Sequence, residues 1–216
     1  MIKTIFLVRH GQTGANKKHI HQGPDEILSD HGREQALEVT DILRDLKIDT
    51  LTCSSMVRAR ETAEIIGMAL GMPHTIIPDA VEVRRPDSVY GKRHFSYHSI
   101  KYALNLYRCQ SNPEWSDEGG ENLFDVHNRI RTTQDILSEL PGERIALVSH
   151  AIFIDMFIKM VCLNRDLTMK EFVNAALAIK KLPNTGVVSF TVQTDPVANT
   201  CAWNFHGYGK EVAKNL

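Results

Sequence analysis

The sequence predicts an α/β domain, a three-layer α/β/α sandwich around a mostly parallel central sheet, and three observations carry that expectation. The apolar runs at 2–8 and 144–149 are continuous rather than alternating, as in strands covered on both faces. Strand and helix patterns alternate along most of the chain, which calls for crossover connections. Arg9-His10 and Ser149-His150 close those two runs, at strand carboxyl ends where open α/β sheets build their sites.

The elements follow from local chemistry. Residues 2–8 form the first strand, and a polar loop follows it. Ser29 or Asp30 caps a helix whose apolar positions Ala36, Val39, Leu43 and Leu46 recur at helical spacing through Lys47. Residues 49–54 are a short strand. The next helix spans 56–70, with Ala63, Ile66 and Leu70 on one face and Gly71 and Pro73 closing it. Residues 74–77 read as a third strand ending at Pro78. From 82 to 120 the pattern breaks, because Pro86, Gly91, Pro113, Gly119 and Gly120 punctuate a polar, aromatic-rich stretch with one helix near 97–108. We read 84–119 as a lid-like segment inserted over the strand ends of a single domain spanning 1–216. An amphipathic helix over 121–140 stops at Pro141-Gly142, and the buried strand 144–149 delivers His150. Helices from 152 and around 168–177 follow, and 186–194 with 199–205 close the fold as a strand pair.

With 216 residues, 43% of them hydrophobic and 24% charged, the chain can bury one substantial core. A formal net charge of -1 supplies no global field for nucleic acid or an anionic membrane. Cys53, Cys109, Cys162 and Cys201 are scattered without a C-x-x-C pair, which reads as free thiols in a reducing compartment. Arg9-His10 interrupts the first apolar run too early for a signal peptide, and no apolar stretch approaches the ~18 residues of a membrane span. The expectation is a cytoplasmic monomer or homodimer with neither nucleic acid nor membrane as partner.

Three strand ends offer polar groups to one sheet edge: Arg9-His10, the turn from Cys53 to Arg58, and Ser149-His150. Each has a plainer reading. Arg9-His10 is by itself a common solvated pair, Arg58 can pair with Glu61 or Thr62 a turn away, and Glu82 can pair with Arg84 or Arg85. His94 and His98 have helical metal-pair spacing but no third ligand to complete it. Arg84, Arg85, Lys92, Arg93 and Lys101, interleaved with Tyr90, Phe95 and Tyr97, could stack single-stranded nucleic acid, but read more readily as a solvated lid or as steering for an anionic substrate.

Taken together, the motifs point further. Arg9-His10-Gly11-Gln12-Thr13-x-x-Asn16 resembles the signature of the histidine phosphatase superfamily, the phosphoglycerate-mutase-like proteins. Gln22-Gly23 and Leu28-Ser29-x-x-Gly32-x-x-Gln35-Ala36 are similar to that family's loop and first helix. The run from Cys53 to Ala63 resembles its second motif, with Arg58 as the phosphate-facing arginine. Glu82-Val83-Arg84-Arg85-Pro86 resembles the acid-bearing motif of a phosphatase branch, Val148-Ser149-His150 the second-histidine motif, and Asn184-Thr185-Gly186 the last loop. The matches occur in order along most of the chain.

The resemblance implies a phosphomonoesterase acting on a small phosphorylated metabolite through a phosphohistidine. Phosphoryl transfer is mostly positioning and electrostatics. Arg9 and Arg58 offer planar donor forks to the phosphoryl oxygens, and protonated His150 adds a third cationic donor. Neutral His10 attacks phosphorus in line. Glu82 protonates the leaving oxygen and then activates water. Asn16 donates to the phosphoryl group, with Gln22, Gly23 and Ala151 at the pocket edge. No metal or cofactor is needed, because arginine and imidazolium supply the charge.

Departures from the family pattern bear on the reaction. Gln12 replaces a glutamate that many members carry, Ala151 stands where glycine often follows the second histidine, and the Gly-x-Trp-Glu-Gly continuation of mutase-like members is missing after Glu82. The last departure favours hydrolysis over a cofactor-dependent phosphoglycerate mutase. A catalytically silent module that binds phospho-ligands or protein partners is the remaining alternative.

Overall fold

A computed structural model of the chain describes residues 2–178, 182–195 and 200–208. Its centre is a six-stranded sheet in the order β3-β2-β4-β1-β5-β6. The strands are β1 (Ile2–Arg9), β2 (Thr50–Ser54), β3 (His74–Ile77), β4 (Arg144–Ser149), β5 (Val187–Asp195) and β6 (Thr200–Tyr208). β1 to β4 run parallel, as expected, while β5 and β6 form the expected closing pair, antiparallel to each other, and make the sheet mixed, since β5 lies antiparallel to β1. Residue 199, placed in the last strand from sequence, lies outside the described residues.

The helices are α1 (Gly14–Lys17), α2 (Asp30–Asp45), α3 (Val57–Leu70), α4 (Tyr97–Arg108), α5 (Leu123–Glu139), α6 (Ala151–Leu163) and α7 (Met169–Leu177). Their starts are set by side-chain caps. Ser29 accepts from the Gly32 amide ahead of α2, and Thr168 with Glu171 forms a capping box ahead of α7. α5 begins two residues later than its periodicity suggests. Asn122 is its cap, boxed with Asp125, and the side chain of Glu121 is engaged elsewhere.

The strand pleat sorts two cores onto opposite sheet faces. Ile5, Leu7, Ile145, Leu147, Val188 and Phe190 face α5, α6 and α7. Phe6, Val8, Ala146, Val148 and Leu51 face α2 and α3. Ile5, Phe6, Leu7 and Val8 are fully buried, each worth about 1.5–3 kcal/mol of transfer free energy. The 84–119 segment packs Val89, Tyr102 and Leu106 into the first of these cores. It is stitched to the loop before α2 by a bridge between Ile20 and Arg93, with the His21 amide donating to Lys92.

The order matters for the site. The chain leaves β1, skips one position to lay down β2 and β3, and returns to place β4 between β1 and β2. β1 and β4 are thus parallel neighbours with Arg9 in register with Ser149, and the residues that follow, His10 and His150, emerge together at the carboxyl edge.

Candidate active site

Backbone requirements shape the loop after β1. A Cβ on Gly11 would lie 2.4 Å from the Gly32 carbonyl oxygen, and one on Gly32 only 2.0 Å from that of Gln12, so the loop and the first turn of α2 touch backbone to backbone. Side chains lock this contact. The Gln12 amide donates to Gln35 Oε1 at 2.9 Å, the Gly11 amide to Thr62 Oγ1 at 3.1 Å, and Ser29 Oγ to the Gln12 carbonyl at 3.1 Å. The Ser29-x-x-Gly32-x-x-Gln35 spacing is therefore a seat for the histidine loop.

His10 is 2% exposed, and its tautomer follows from its two partners. Nδ1 lies 2.7 Å from the Gly11 carbonyl, which only accepts, so Nδ1 carries the proton. Arg58 Nε–H donates to Nε2 at 3.2 Å, so Nε2 presents a lone pair. Burial first, then the charges of Arg58 and Arg9, push the His10 pKa well below the ordinary histidine range, against the pull of the Gly11 carbonyl.

The other expected residues gather around it. The ring centroids of His10 and His150 are 5.2 Å apart. Arg58 is 2% exposed and held on three sides, by His10, by the Gly23 carbonyl at 2.8 Å and by Met56 Sδ at 3.1 Å, rather than by Glu61. Burial lowers its pKa to about 10, with Glu82 the strongest opposing charge. Arg9 Nη1 donates to the Leu182 carbonyl, while its Nε is buried without a partner among the described residues. Asn16 Oδ1 accepts from the Thr13 amide and from Asn184 Nδ2, both at 3.3 Å, and Asn184 Nδ2 also donates to the His10 carbonyl at 3.0 Å. Gln22 Oε1 accepts from Thr13 Oγ1 at 3.1 Å.

Glu82 is not paired with Arg84 or Arg85. Its carboxylate receives the amides of Val83 at 3.0 Å, Ile152 at 3.2 Å and Phe153 at 3.0 Å, so it seals the N-terminus of α6 just behind Ala151. Both Arg9 and Arg58 feel its charge.

The pKa of His150, expected from sequence as a protonated third cation, is pushed well below the ordinary histidine range, as that of His10 is. Burial is the first cause, followed by Arg58, His10, Arg129 and Arg9. The Nε2 of His150 is 2.8 Å from Ser54 Oγ, and its Nδ1 is buried without a partner among the described residues. Ser54 and Met56 fall inside the second motif without a role of their own, and Thr62, offered as a partner for Arg58, donates to the Arg58 carbonyl and accepts from the Gly11 amide. Nothing in the sequence singled out Arg129 or Glu121, whose partners lie far away along the chain.

Comparison with known proteins places this geometry. The model of the histidine phosphatase superfamily (branch 1) matches residues 5–194. A Klebsiella pneumoniae protein named probable phosphoglycerate mutase GpmB is 34% identical over 163 residues, covering 73% of this chain and 74% of its own. An Escherichia coli protein of the same name is 30% identical over 162 residues, with the same shares. In fold, a mycobacterial glucosyl-3-phosphoglycerate phosphatase matches with a TM-score of 0.73 at 19% identity, over 94% of this chain and 97% of its own. The alpha-ribazole phosphatase from Shigella flexneri matches at 0.68 and 21%, over 94% and 95%.

Proposed function

This chain belongs to branch 1 of the histidine phosphatase superfamily, and on that premise we propose that it hydrolyses phosphomonoesters of a small metabolite through a phosphohistidine on His10. The observation that carries the proposal is the His10 tautomer: Nδ1 is tied to the Gly11 carbonyl and Nε2 holds a lone pair beside Arg58. A neutral imidazole flanked by two guanidinium groups is a nucleophile set against the place where a phosphoryl group's charge is best held.

In this reading Arg9 Nε and His150 Nδ1, both buried without partners among the described residues, are satisfied by phosphoryl oxygens. Arg58 gives up weak contacts such as that to Met56 Sδ in favour of charge-assisted ones. Asn16, Gln22, Gly23 and Ala151 line the same oxygens. An incoming dianion favours the charged form of His150, so its proton arrives with substrate rather than before it. His10 Nε2 attacks phosphorus, the phosphorus–oxygen ester bond breaks, and Glu82 delivers a proton to the leaving oxygen. Glu82 then takes a proton from the water that releases phosphate and regenerates His10.

The names of the curated relatives favour a second reading, phosphoglycerate mutase, which uses the same residues but excludes water from the phosphohistidine. The missing Gly-x-Trp-Glu-Gly run after Glu82 supports hydrolysis instead. Phosphate release across a panel of phosphorylated metabolites, with and without a chelator, tests the proposal. Metal-independent release without a bisphosphate requirement is expected. Isomerisation without release supports the mutase, and ligand binding without turnover supports a silent module.

A further inference from the structure

Glu82 sits on a short irregular segment, yet both ends of that segment are gripped by one buried ion pair. Arg129 of α5 is 8% exposed and Glu121 is 5% exposed. The two meet in a bidentate fork, Nε to Oε1 and Nη2 to Oε2, each 2.7 Å. The remaining arginine nitrogen, Nη1, donates to the carbonyls of Asp79 at 2.5 Å and Val81 at 3.0 Å, the latter immediately before Glu82. Beyond Glu82, the Arg84 amide donates to Glu121 Oε2 at 2.8 Å, and the Glu121 amide returns a bond to the Arg84 carbonyl at 3.1 Å.

The same guanidinium reaches the carboxylate's other supports. Its carbon lies 5.4 Å from the centroid of Phe153, whose amide holds Glu82 Oε1. Ser149 Oγ, next to His150, donates to the Ala80 carbonyl at 2.7 Å, tying the segment to the end of β4. Hydrogen bonds from Arg129 overcome the cost of burial and keep the Glu121 carboxyl below the usual carboxylate range, so the fork is ionic.

We propose that Glu121 and Arg129 are positioning residues for proton transfer: their fork fixes the backbone on either side of Glu82 and thereby aims its carboxylate at the leaving oxygen. The inference rests on Glu82 being the proton donor. A pair that serves only the fold has no reason to distinguish one phosphate ester from another. A pair that aims the acid is felt most when the leaving oxygen is a poor leaving group that needs the proton.

The test uses the full-length protein and kcat/KM, which reports the first phosphoryl transfer, on an alkyl phosphate and on 4-nitrophenyl phosphate. Glu82→Gln is the reference for loss of the acid. Deleting one partner strands a buried charge, so the principal variant is the double replacement Glu121→Leu with Arg129→Met, which leaves no orphan ion. Arg129→Lys, which keeps the charge but not the fork, is the second arm should the double variant not fold. The expected result is selective loss, about 10-fold or more on the alkyl ester and under about 3-fold on the aryl ester, in the same direction as Glu82→Gln. Equal losses on both esters, or none, while Glu82→Gln still discriminates would reduce the pair to scaffolding. If Glu82→Gln itself fails to discriminate, the assignment of the acid falls, and the positioning role falls with it.

Discussion

Arg58 is the residue where packing and the proposed chemistry are hardest to separate, because its guanidinium is buried, holds the Gly23 carbonyl and donates to Nε2 of His10. Arg58→Met keeps much of the apolar stem and removes the donors. It should lower kcat/KM about 10²–10³-fold, the typical cost of one preorganised donor to a developing anion. A loss below about 10-fold in steady-state kinetics would place Arg58 in the scaffold. Arg9, Arg58, His10 and His150 were legible from sequence because they follow apolar runs or open a helix within recognisable motifs. Ser54 as the partner of His150, and the Glu121–Arg129 fork, were not. Those contacts depend on which strands become neighbours, and no local pattern records that.

At the scale of elements, the lock between the histidine loop and α2 makes a sharp prediction. Gly32→Ala drives a methyl group into the Gln12 backbone, and backbone cannot swing aside as a side chain can. It should destabilise the protein by about 1–3 kcal/mol and lower activity by moving His10. Gly14→Ala, where a Cβ meets nothing within 4 Å, is the control and should be near neutral. Equal urea midpoints for the two variants would contradict the lock. Most helices were readable from caps and periodicity, as with Ser29 before α2 and Gly71 after α3, where φ is 68°. The helix α1 escaped notice because four residues are too few for a periodicity, though Thr13 and Asn16 make its capping box. The start of α5 shifted because Glu121 is drawn into a tertiary ion pair.

At the scale of the whole molecule, the fold buries two imidazoles in its centre beside two arginines, and that links stability to pH. His10 and His150 lie well below the ordinary histidine pKa when folded, and His127 is lowered less far, chiefly by burial. As pH falls through about 6.5 the unfolded chain takes up protons that the folded protein refuses, so stability decreases, at most about 1.4 kcal/mol per pH unit for each such histidine. The urea midpoint in phosphate-free buffer should therefore drop between pH 7.5 and 5.5. The double variant His10→Asn with His150→Asn should flatten that slope, and a midpoint unchanged in wild type would refute the linkage. The alternation of strands and helices made the layered architecture readable, whereas the antiparallel edge depended on how β5 pairs with β1. The sheet order brings His10 and His150 together, and the contacts of the His10 ring leave Nε2 with a lone pair, the nitrogen we propose as the nucleophile. Rapid quenching of the enzyme during turnover of a labelled phosphomonoester, followed by peptide mapping under alkaline conditions, tests that conclusion directly. The phosphoryl group should be found on His10 at Nε2 and should be absent from His10→Ala; label on Nδ1, on another residue, or retained in His10→Ala would contradict it.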